Sequence, residues 1–466
     1  MPKKNWLSLL GGNLQTDTII APATPPGSGG LAVIRLSGPR AESVLLDLFR
    51  PASPRVRLLS HRLYLGQLFG SDGFAVDEVM VVIMRAPHSF TREDVVEVHC
   101  HGGPAVVHSI LDLFMHSGIR MARPGEFTQR AFLNGRLDLS QAEAVADLIH
   151  AHSSGAARVA LGQLQGKLAR VVNDARQQLI EYLSLVEVHI DFSDQDIDLP
   201  DFNPLASRVA ELVTYLEGLL GSYRAGRMLH EGVRILILGK PNVGKSSLLN
   251  ALLGEARAIV TEIAGTTRDT IEETLLLQDV PVRLIDTAGI RYTDDPVELE
   301  GVRRAKEKVA SADLVLLVID GSKPLDQDDL LALSTCDRDR LLLVVNKSDL
   351  SQQLLDDAFQ VLEQVSVSAR QGLGLDTLQT AIKEKLFAGA VVSSEDVLLY
   401  ERRHKESLSL AVRSLERFVA GVGERLEAEF LALELREAIA SLGEISGDSV
   451  TEEVLEQIFS KFCIGK

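Results

Sequence analysis

A lysine and two serines follow a glycine-bounded loop in Gly239-Lys240-Pro241-Asn242-Val243-Gly244-Lys245-Ser246-Ser247, and together these residue types suit the holding of a polyphosphate. Glycines let the backbone curl until successive N–H groups face one anion, and a helix that starts at the end of the loop adds partial positive charge there. Lys245 is then placed to reach the β- and γ-phosphates, and the Ser246 hydroxyl to coordinate Mg²⁺. The competing reading is a glycine turn that matches by chance. The flanks argue against it: the apolar run Val233–Leu238 reads as a strand and 247–253 as a helix, the context a phosphate loop requires.

Four later stretches turn a nucleotide site into a guanine-nucleotide site. Asp286-Thr287-Ala288-Gly289 ends the apolar run 282–285; its carboxylate can reach Mg²⁺ through water, and the Gly289 N–H can sense a γ-phosphate. Asn346-Lys347-Ser348-Asp349 ends the run 341–345, and the Asp349 carboxylate can accept the N1–H and exocyclic amine of guanine, a donor pair that adenine lacks. Ser368-Ala369-Arg370 can offer backbone donors to the guanine O6. Thr266-Thr267-Arg268-Asp269 lies where a first switch segment belongs, and one of its threonines can complete the Mg²⁺ shell. Each match alone is short. Their order, each at a strand end or on the connecting segment, is specific.

The residue after Gly289 bears on mechanism. Ras-like enzymes carry a glutamine there to orient the attacking water, whereas this chain carries Ile290, which can neither donate nor accept a hydrogen bond. Another residue must orient the water. Glu298 is the nearest candidate and Glu300 its competitor, with solvated acids as the bland reading of both. Asn242 offers an amide oxygen beside the phosphates that could ligate a monovalent cation and so do the work of an arginine finger.

Strands and helices alternate from Val233 to about residue 387, with strands expected at Val233–Leu238, 282–285, 314–319, 341–345 and 364–367. Their apolar character suits a parallel sheet covered on both faces. Residues 18–104 hold short β-branched runs (31–36, 79–84, 95–99) with a helix at 105–117, which is an α+β texture. Two glycine loops there, 25–30 and 101–104, are turns or backbone anion nests. Ser140 and Glu143 form a capping-box pattern at the head of a long helical region. Its apolar positions Leu161, Leu164, Leu168, Val171, Ala175, Leu179, Tyr182, Val186 and Ile190 share one face. Asp194, Asp196 and Asp198 lack the glycine and terminal glutamate of an EF-hand loop, so that acidic stretch reads as an interhelix turn. Leu205, Val209, Leu212, Leu216 and Leu219 repeat the helical spacing. Helical texture returns after residue 391, with Ser449 and Glu452 as a second capping-box pattern. The expected architecture is therefore multidomain, α+β and α/β, with a Ras-like P-loop domain inserted into a helical bundle: 1–133 N-terminal, 134–230 helical, 231–391 the nucleotide domain and 392–466 helical again.

With 466 residues the chain has room for several cores. A net charge of −17 argues against sequence-wide, nonspecific nucleic-acid binding and restricts RNA contacts to a local patch. Cys100, Cys336 and Cys463 are too few and scattered for a disulfide framework. The apolar run near the start, 7–10, is short for a signal segment and far short of a membrane span, so a soluble cytoplasmic protein is expected.

The run Ile259-Val260-Thr261-Glu262-Ile263-Ala264-Gly265-Thr266-Thr267-Arg268-Asp269-Thr270 resembles the first switch of the GTPases that include Era and Der. Ala23-Thr24-Pro25-Pro26-Gly27-Ser28-Gly29-Gly30, Arg123-Pro124-Gly125-Glu126-Phe127-Thr128, the stretch Arg130-Ala131-Phe132-Leu133-Asn134-Gly135-Arg136-Leu137-Asp138-Leu139 and Cys463-Ile464-Gly465-Lys466 narrow the resemblance to the MnmE (TrmE) family. It covers all but the first dozen or so residues. It implies a GTPase of tRNA wobble-uridine modification whose first domain dimerises and binds 5-formyltetrahydrofolate or a related reduced folate. By position the folate contacts are Arg35, Glu97, Arg136 and Lys466. The arginines and the lysine can meet folate carboxylates, and Glu97 can accept from pterin N–H groups. The resemblance also implies G domains that dimerise across a K⁺-loaded nucleotide. It assigns K⁺ to Asn242 and the carbonyls of 261–266 (Thr261, Ile263 and Thr266 among them), Mg²⁺ to Ser246 and Thr267, and the water-orienting acid to Glu298. It implies a flavoprotein partner, MnmG, that holds FAD, and an aminomethyl or carboxymethylaminomethyl group added at uridine C5. Cys463 is a nucleophile candidate for that step, since Lys461 and Lys466 can lower its pKa; packing at a helix end is the alternative. The rival function is an Era-like switch in ribosome assembly.

Overall fold

A computed structural model describes residues 17–53, 57–191, 202–255, 272–277, 280–286, 309–353, 357–387 and 397–466. The expectations for 194–198, 259–270, 287–290, Glu298 and Glu300 fall outside these residues. The chain forms two compact units: Met1–Ile149 with Gly162–Glu217 and Glu406–Lys466, and His150–Leu161 with Gly218–Lys405.

In the first unit, seven strands are β1 (Ile19–Pro22), β2 (Gly29–Ser37), β3 (Phe49–Pro51), β4 (Leu63–Phe69), β5 (Ala75–Met84), β6 (Val95–Gly102) and β7 (Arg120–Met121). They are ordered β3-β4-β5-β6-β2-β1-β7, with only β1 and β7 parallel. Side chains alternate across a strand, so one face can be apolar and the other polar. Ile34, Leu36, Val79, Val81, Val96 and Val98 pack inward against Ile110 and Phe114 of α2 (Pro104–His116) and Val44 and Leu45 of α1 (Ala41–Leu48). The β2–β6 register pairs Arg35 with Glu97, which places both on the opposite face. The loop at 101–104 is a strand-to-helix junction. A Cβ on Gly102 would stand 2.5 Å from the Gly29 carbonyl, so this glycine allows β2 and β6 to approach closely.

The helices of this unit include α3 (Glu126–Leu133), α4 (Leu139–His150), α6 (Lys167–Asp191), α14 (Ala428–Ser446) and α15 (Glu452–Phe459). Leu168, Val172, Ala175, Leu179, Tyr182 and Val186 form the buried stripe of α6, close to the expected face. Pairing of Arg176 with Asp448 and of Arg436 with Glu187 (2.9 Å) runs α14 antiparallel to α6. Three expectations change. The long helical region is broken after α5 (Ser154–Leu164) by Gly166, which has φ 78, and Leu161 is exposed. The capping box at 140–143 moves two residues back: Asp138 Oδ1 accepts from the Gln141 N–H (2.9 Å), and Gln141 Oε1 accepts from the Asp138 N–H (3.0 Å). A carboxylate in the earlier position captures the free N–H groups, and the Ser140 hydroxyl donates to Asp138 instead. At the last helix, α15, the Ser449 hydroxyl donates to the Ala440 carbonyl, and Thr451 holds the N-cap position without a side-chain bond.

The second unit carries β8 (Val233–Leu238), β9 (Glu272–Leu277), β10 (Val280–Asp286), β11 (Leu314–Asp320), β12 (Leu341–Asn346) and β13 (Gln364–Ser366), ordered β13-β12-β11-β8-β10-β9. All pairings are parallel except β9–β10. Ile235 and Ile237 belong to one apolar cluster, and Leu236 and Leu238 to another. Both faces are therefore covered, which is why these strands read as unbroken apolar runs. The edge strand β9 was not among the expected strands. It opens with two glutamates and is held by antiparallel pairing with β10. Among the described residues no helix is long and apolar enough to cross a membrane.

Candidate nucleotide site and a second cationic site

The loop 239–244 joins the carboxyl end of β8 to α9 (Lys245–Glu255), the place where open parallel sheets bind ligands. Gly239, Asn242 and Gly244 have φ of 148°, 64° and 101°, so the loop relies on left-handed backbone at three positions. Gly244 is obligatory, because a Cβ there would overlap Asn346 Nδ2. Lys245 Nζ donates to the carbonyls of Gly239 (2.8 Å) and Lys240 (2.7 Å), which holds the ammonium over the loop. Ser246 and Ser247 are exposed in the first turn of α9, where a hydroxyl can meet a hydrated Mg²⁺.

The base-reading segment is tied to this loop. Buried Asn346 donates from Nδ2 to the Val243 carbonyl (2.8 Å) and accepts the Ala369 N–H at Oδ1 (3.1 Å), linking three of the expected stretches through one amide. Lys347 (φ 64°) donates to the Asn242 carbonyl (3.1 Å) and to Asp320 Oδ2 (2.6 Å). Burial opposes the charge of Asp320, but hydrogen bonds from Lys347 and Ser322 win and lower its pKa. The Ser368 hydroxyl donates to Asp349 Oδ1 (2.6 Å), which orients an exposed carboxylate; Arg370, two residues after Ser368, is exposed too. Asp286 ends β10, next to β8. Lys240 pairs with Asp326 (2.6 Å) and Asp329 (2.7 Å) at the head of α10 (Gln327–Ser334), whose capping box those acids form. Asp320, Asp326 and Asp329 were not singled out from sequence, because strand-end and helix-cap acids are common.

The first unit gathers the other expected residues. Arg35 bonds Glu97 (2.8 Å), and His99 Nε2 lies 3.6 Å from the same carboxylate. Arg35 and Arg136 lie over the Phe90 ring, 5.6 and 4.9 Å from its centroid. Lys466 is drawn in beside Arg35, Glu97 and Cys463, and burial together with the Arg35 charge lowers its pKa. Burial and the charges of Arg92 and Arg35 likewise lower that of Arg136. The segment 463–466 reaches this place because the Gly125 and Phe127 N–H groups donate to the carbonyls of Cys463 (3.5 Å) and Lys466 (3.2 Å). Gly465 (φ 96°) passes so close to the Pro22 carbonyl that no Cβ fits. Cys463 is exposed. Beneath, buried Glu126 binds Arg120 (2.5 Å), Arg130 (3.1 Å) and the Arg123 N–H (2.8 Å); burial pushes its pKa up, but these donors hold it at about 2. Phe90 and Arg92 were missed, since neither carries a local signal.

A parallel sheet with a phosphate loop at one strand end and an Asn-Lys-Ser-Asp segment facing it defines a P-loop GTPase domain. Family models described as "GTP-binding protein TrmE N-terminus" and "MnmE helical domain" match residues 18–136 and 139–463. The chain is 52% identical over 455 residues to the tRNA modification GTPase MnmE of Syntrophotalea carbinolica, covering 97% of this chain and 100% of that one. To the protein of the same name from Geobacter sulfurreducens it is 46% identical over 453 residues, covering 97% and 99%. The G domain of the T. maritima FeoB iron transporter is similar at 27% identity over 33% of this chain and 98% of that one, with a TM-score of 0.26. The chain belongs to the MnmE (TrmE) family.

Proposed function

We propose that this tRNA modification GTPase hydrolyses GTP with stimulation by K⁺, as a homodimer, and works with the flavoprotein MnmG and a reduced folate to place a (carboxymethyl)aminomethyl group on C5 of the wobble uridine of certain tRNAs. The observation that carries the reading is the union, in one chain, of a guanine-type phosphate loop with whole-length similarity to tRNA modification GTPases. In this reading 231–391 is the nucleotide domain, 134–230 and 392–466 are the helical domain, 1–133 binds folate and dimerises, and the protein is cytoplasmic.

Lys245 holds the β- and γ-phosphates, Asp349 selects guanine, and Ser246 and Thr267 complete the Mg²⁺ shell. Asn242 with Thr261, Ile263 and Thr266 provides oxygen ligands for K⁺, which when bound supplies the charge of an arginine finger. Glu298 orients the water that Ile290 cannot. The residues described around Arg35 fit a folate: Glu97 can accept pterin N–H groups, and Arg136 has no carboxylate partner among the described residues. Cys463, exposed beside Lys466, suits a nucleophile, and FAD belongs to the partner. An Era-like role in ribosome assembly finds no support, because the family models match the segments on both sides of the nucleotide domain.

The test is the GTPase rate in K⁺ against Na⁺ at equal ionic strength, with and without MnmG. A rate at least about tenfold higher in K⁺ is expected for charge supplied in the transition state. Equal rates would refute the cation mechanism.

A further inference from the structure

The cationic site of the first unit holds more positive charge than one folate monoglutamate needs, and its groups are arranged in order. Lys466 interacts with Glu97 and Arg35. Arg35 binds Glu97 and lies over Phe90, and Arg136 lies over the same ring. Arg92 stands on the Arg136 side of this cluster: its guanidinium donates to the carbonyl of Asn134, two residues before Arg136, and its charge acts on that of Arg136. Two short turns carry this end. Asn134 Nδ2 donates to the Thr91 carbonyl (2.6 Å), Arg92 Nη1 donates to the Asn134 carbonyl (3.0 Å), and Arg136 Nη1 donates to the Ser89 carbonyl (3.1 Å).

Charge is balanced at one end only. Glu97 is shared with Arg35, and the neighbouring acids are taken: Glu93 binds Arg130 (3.2 Å), and Asp94 accepts the Ala86 N–H (2.9 Å). Among the described residues Arg92 and Arg136 have backbone carbonyls as partners and no carboxylate. A guanidinium has five N–H donors, so one bond apiece leaves each arginine with a fork for a carboxylate. Two like charges held side by side without an acid are a place for an anion that carries more than one charge.

A folate has a polarity that fits this row. The pterin end offers N–H donors and requires an acceptor, which is Glu97. The glutamyl end offers carboxylates, and each further γ-linked glutamate adds one. We infer that Arg92, together with Arg136, receives the glutamyl end of the reduced folate and extends recognition to a γ-linked oligoglutamate chain, so that the polyglutamate is held in preference to the monoglutamate. This inference rests on the folate reading above. In it Arg92 is a specificity residue, and Phe90 is the apolar wall between the two ends.

A structural role for Arg92 must be separated from this one, because its bond to Asn134 also fixes the turn that carries Arg136. The ratio of two affinities separates them. The full chain is titrated calorimetrically with 5-formyltetrahydrofolate as the monoglutamate and as the tri-γ-glutamate, for the wild type, Arg92→Ala and Arg92→Lys. The wild type is expected to bind the triglutamate about tenfold more tightly, the size of one net charge-assisted hydrogen bond. Arg92→Ala should bring the ratio near one, through a larger loss for the triglutamate than for the monoglutamate, and Arg92→Lys should retain most of the preference. Equal affinities in the wild type, or equal losses for both ligands in Arg92→Ala, would overturn the inference and leave the folate site intact. Binding of neither ligand to the wild type would instead overturn the folate reading, and the inference with it.

Discussion

In the nucleotide site one run, 239–247, supplies the loop, the ammonium and the hydroxyls, and a parallel sheet only has to hold its ends. The cationic site of the first unit draws its residues from β2, β6, the turns at 89–92 and 134–136, and the segment 463–466. Both sites suit anions, but they depend on different things. The first is backbone geometry, and few residues other than glycine can form it. The second is side-chain charge brought together from a distance, and it lasts only while a buried support holds the pieces in place.

Substitutions can break this contrast. The largest effect is expected from Gly244→Ala, because the new methyl overlaps Asn346 Nδ2 at a left-handed φ and orphans the Val243 carbonyl. Backbone strain plus a lost buried hydrogen bond amount to about 4 kcal/mol, or about 10³ in GTP affinity measured by fluorescent-nucleotide titration. A variant that binds within a few-fold of the wild type would show that the loop tolerates a side chain after all.

Glu126→Gln tests the other kind of site. The native carboxyl is held at about 2 against an ordinary 4.5, which corresponds to about 3 kcal/mol of stability. Because the folded pKa is the lower one, this stability is fully present above about pH 4.5 and is lost as pH falls towards 2. Denaturant midpoints of the wild type should therefore decline through that window, and those of the variant should lie lower and lose this part of the slope. The folate binding proposed for this site should weaken with the support of 463–466, while GTP affinity stays unchanged. A parallel loss of GTP affinity would erase the distinction between the sites.

The smallest effect is expected at Lys240, partly exposed between Asp326 and Asp329. Its carbonyl accepts a bond from Lys245, so Lys240→Ala should loosen the seat of that ammonium. A partly exposed ion pair is worth about 1 kcal/mol, so the KM for GTP should rise about fivefold, with recovery in Lys240→Arg. No change in KM would confine this pair to capping α10.

The sequence by itself determined the nucleotide loop and the order of the stretches behind it. Those stretches are contiguous, sit at the ends of apolar runs, and need glycine at set places, so position along the chain is nearly position in space. It also determined the strands of the second unit, apart from the edge strand β9, which is held by antiparallel pairing with β10. It misplaced both capping boxes, because competition among nearby Asp, Ser and Thr side chains is settled only when the helix start is fixed. Tertiary structure alone decided that Asn346 ties Val243 to Ala369, and that Arg92 and Phe90 stand beside Arg35 and Arg136. It also decided that a buried Glu126 anchors the ground on which Lys466 arrives. The physical reason is range. Backbone conformation is set by neighbours along the chain, whereas a cluster of like charges from four distant segments exists only when a packed core forces them together.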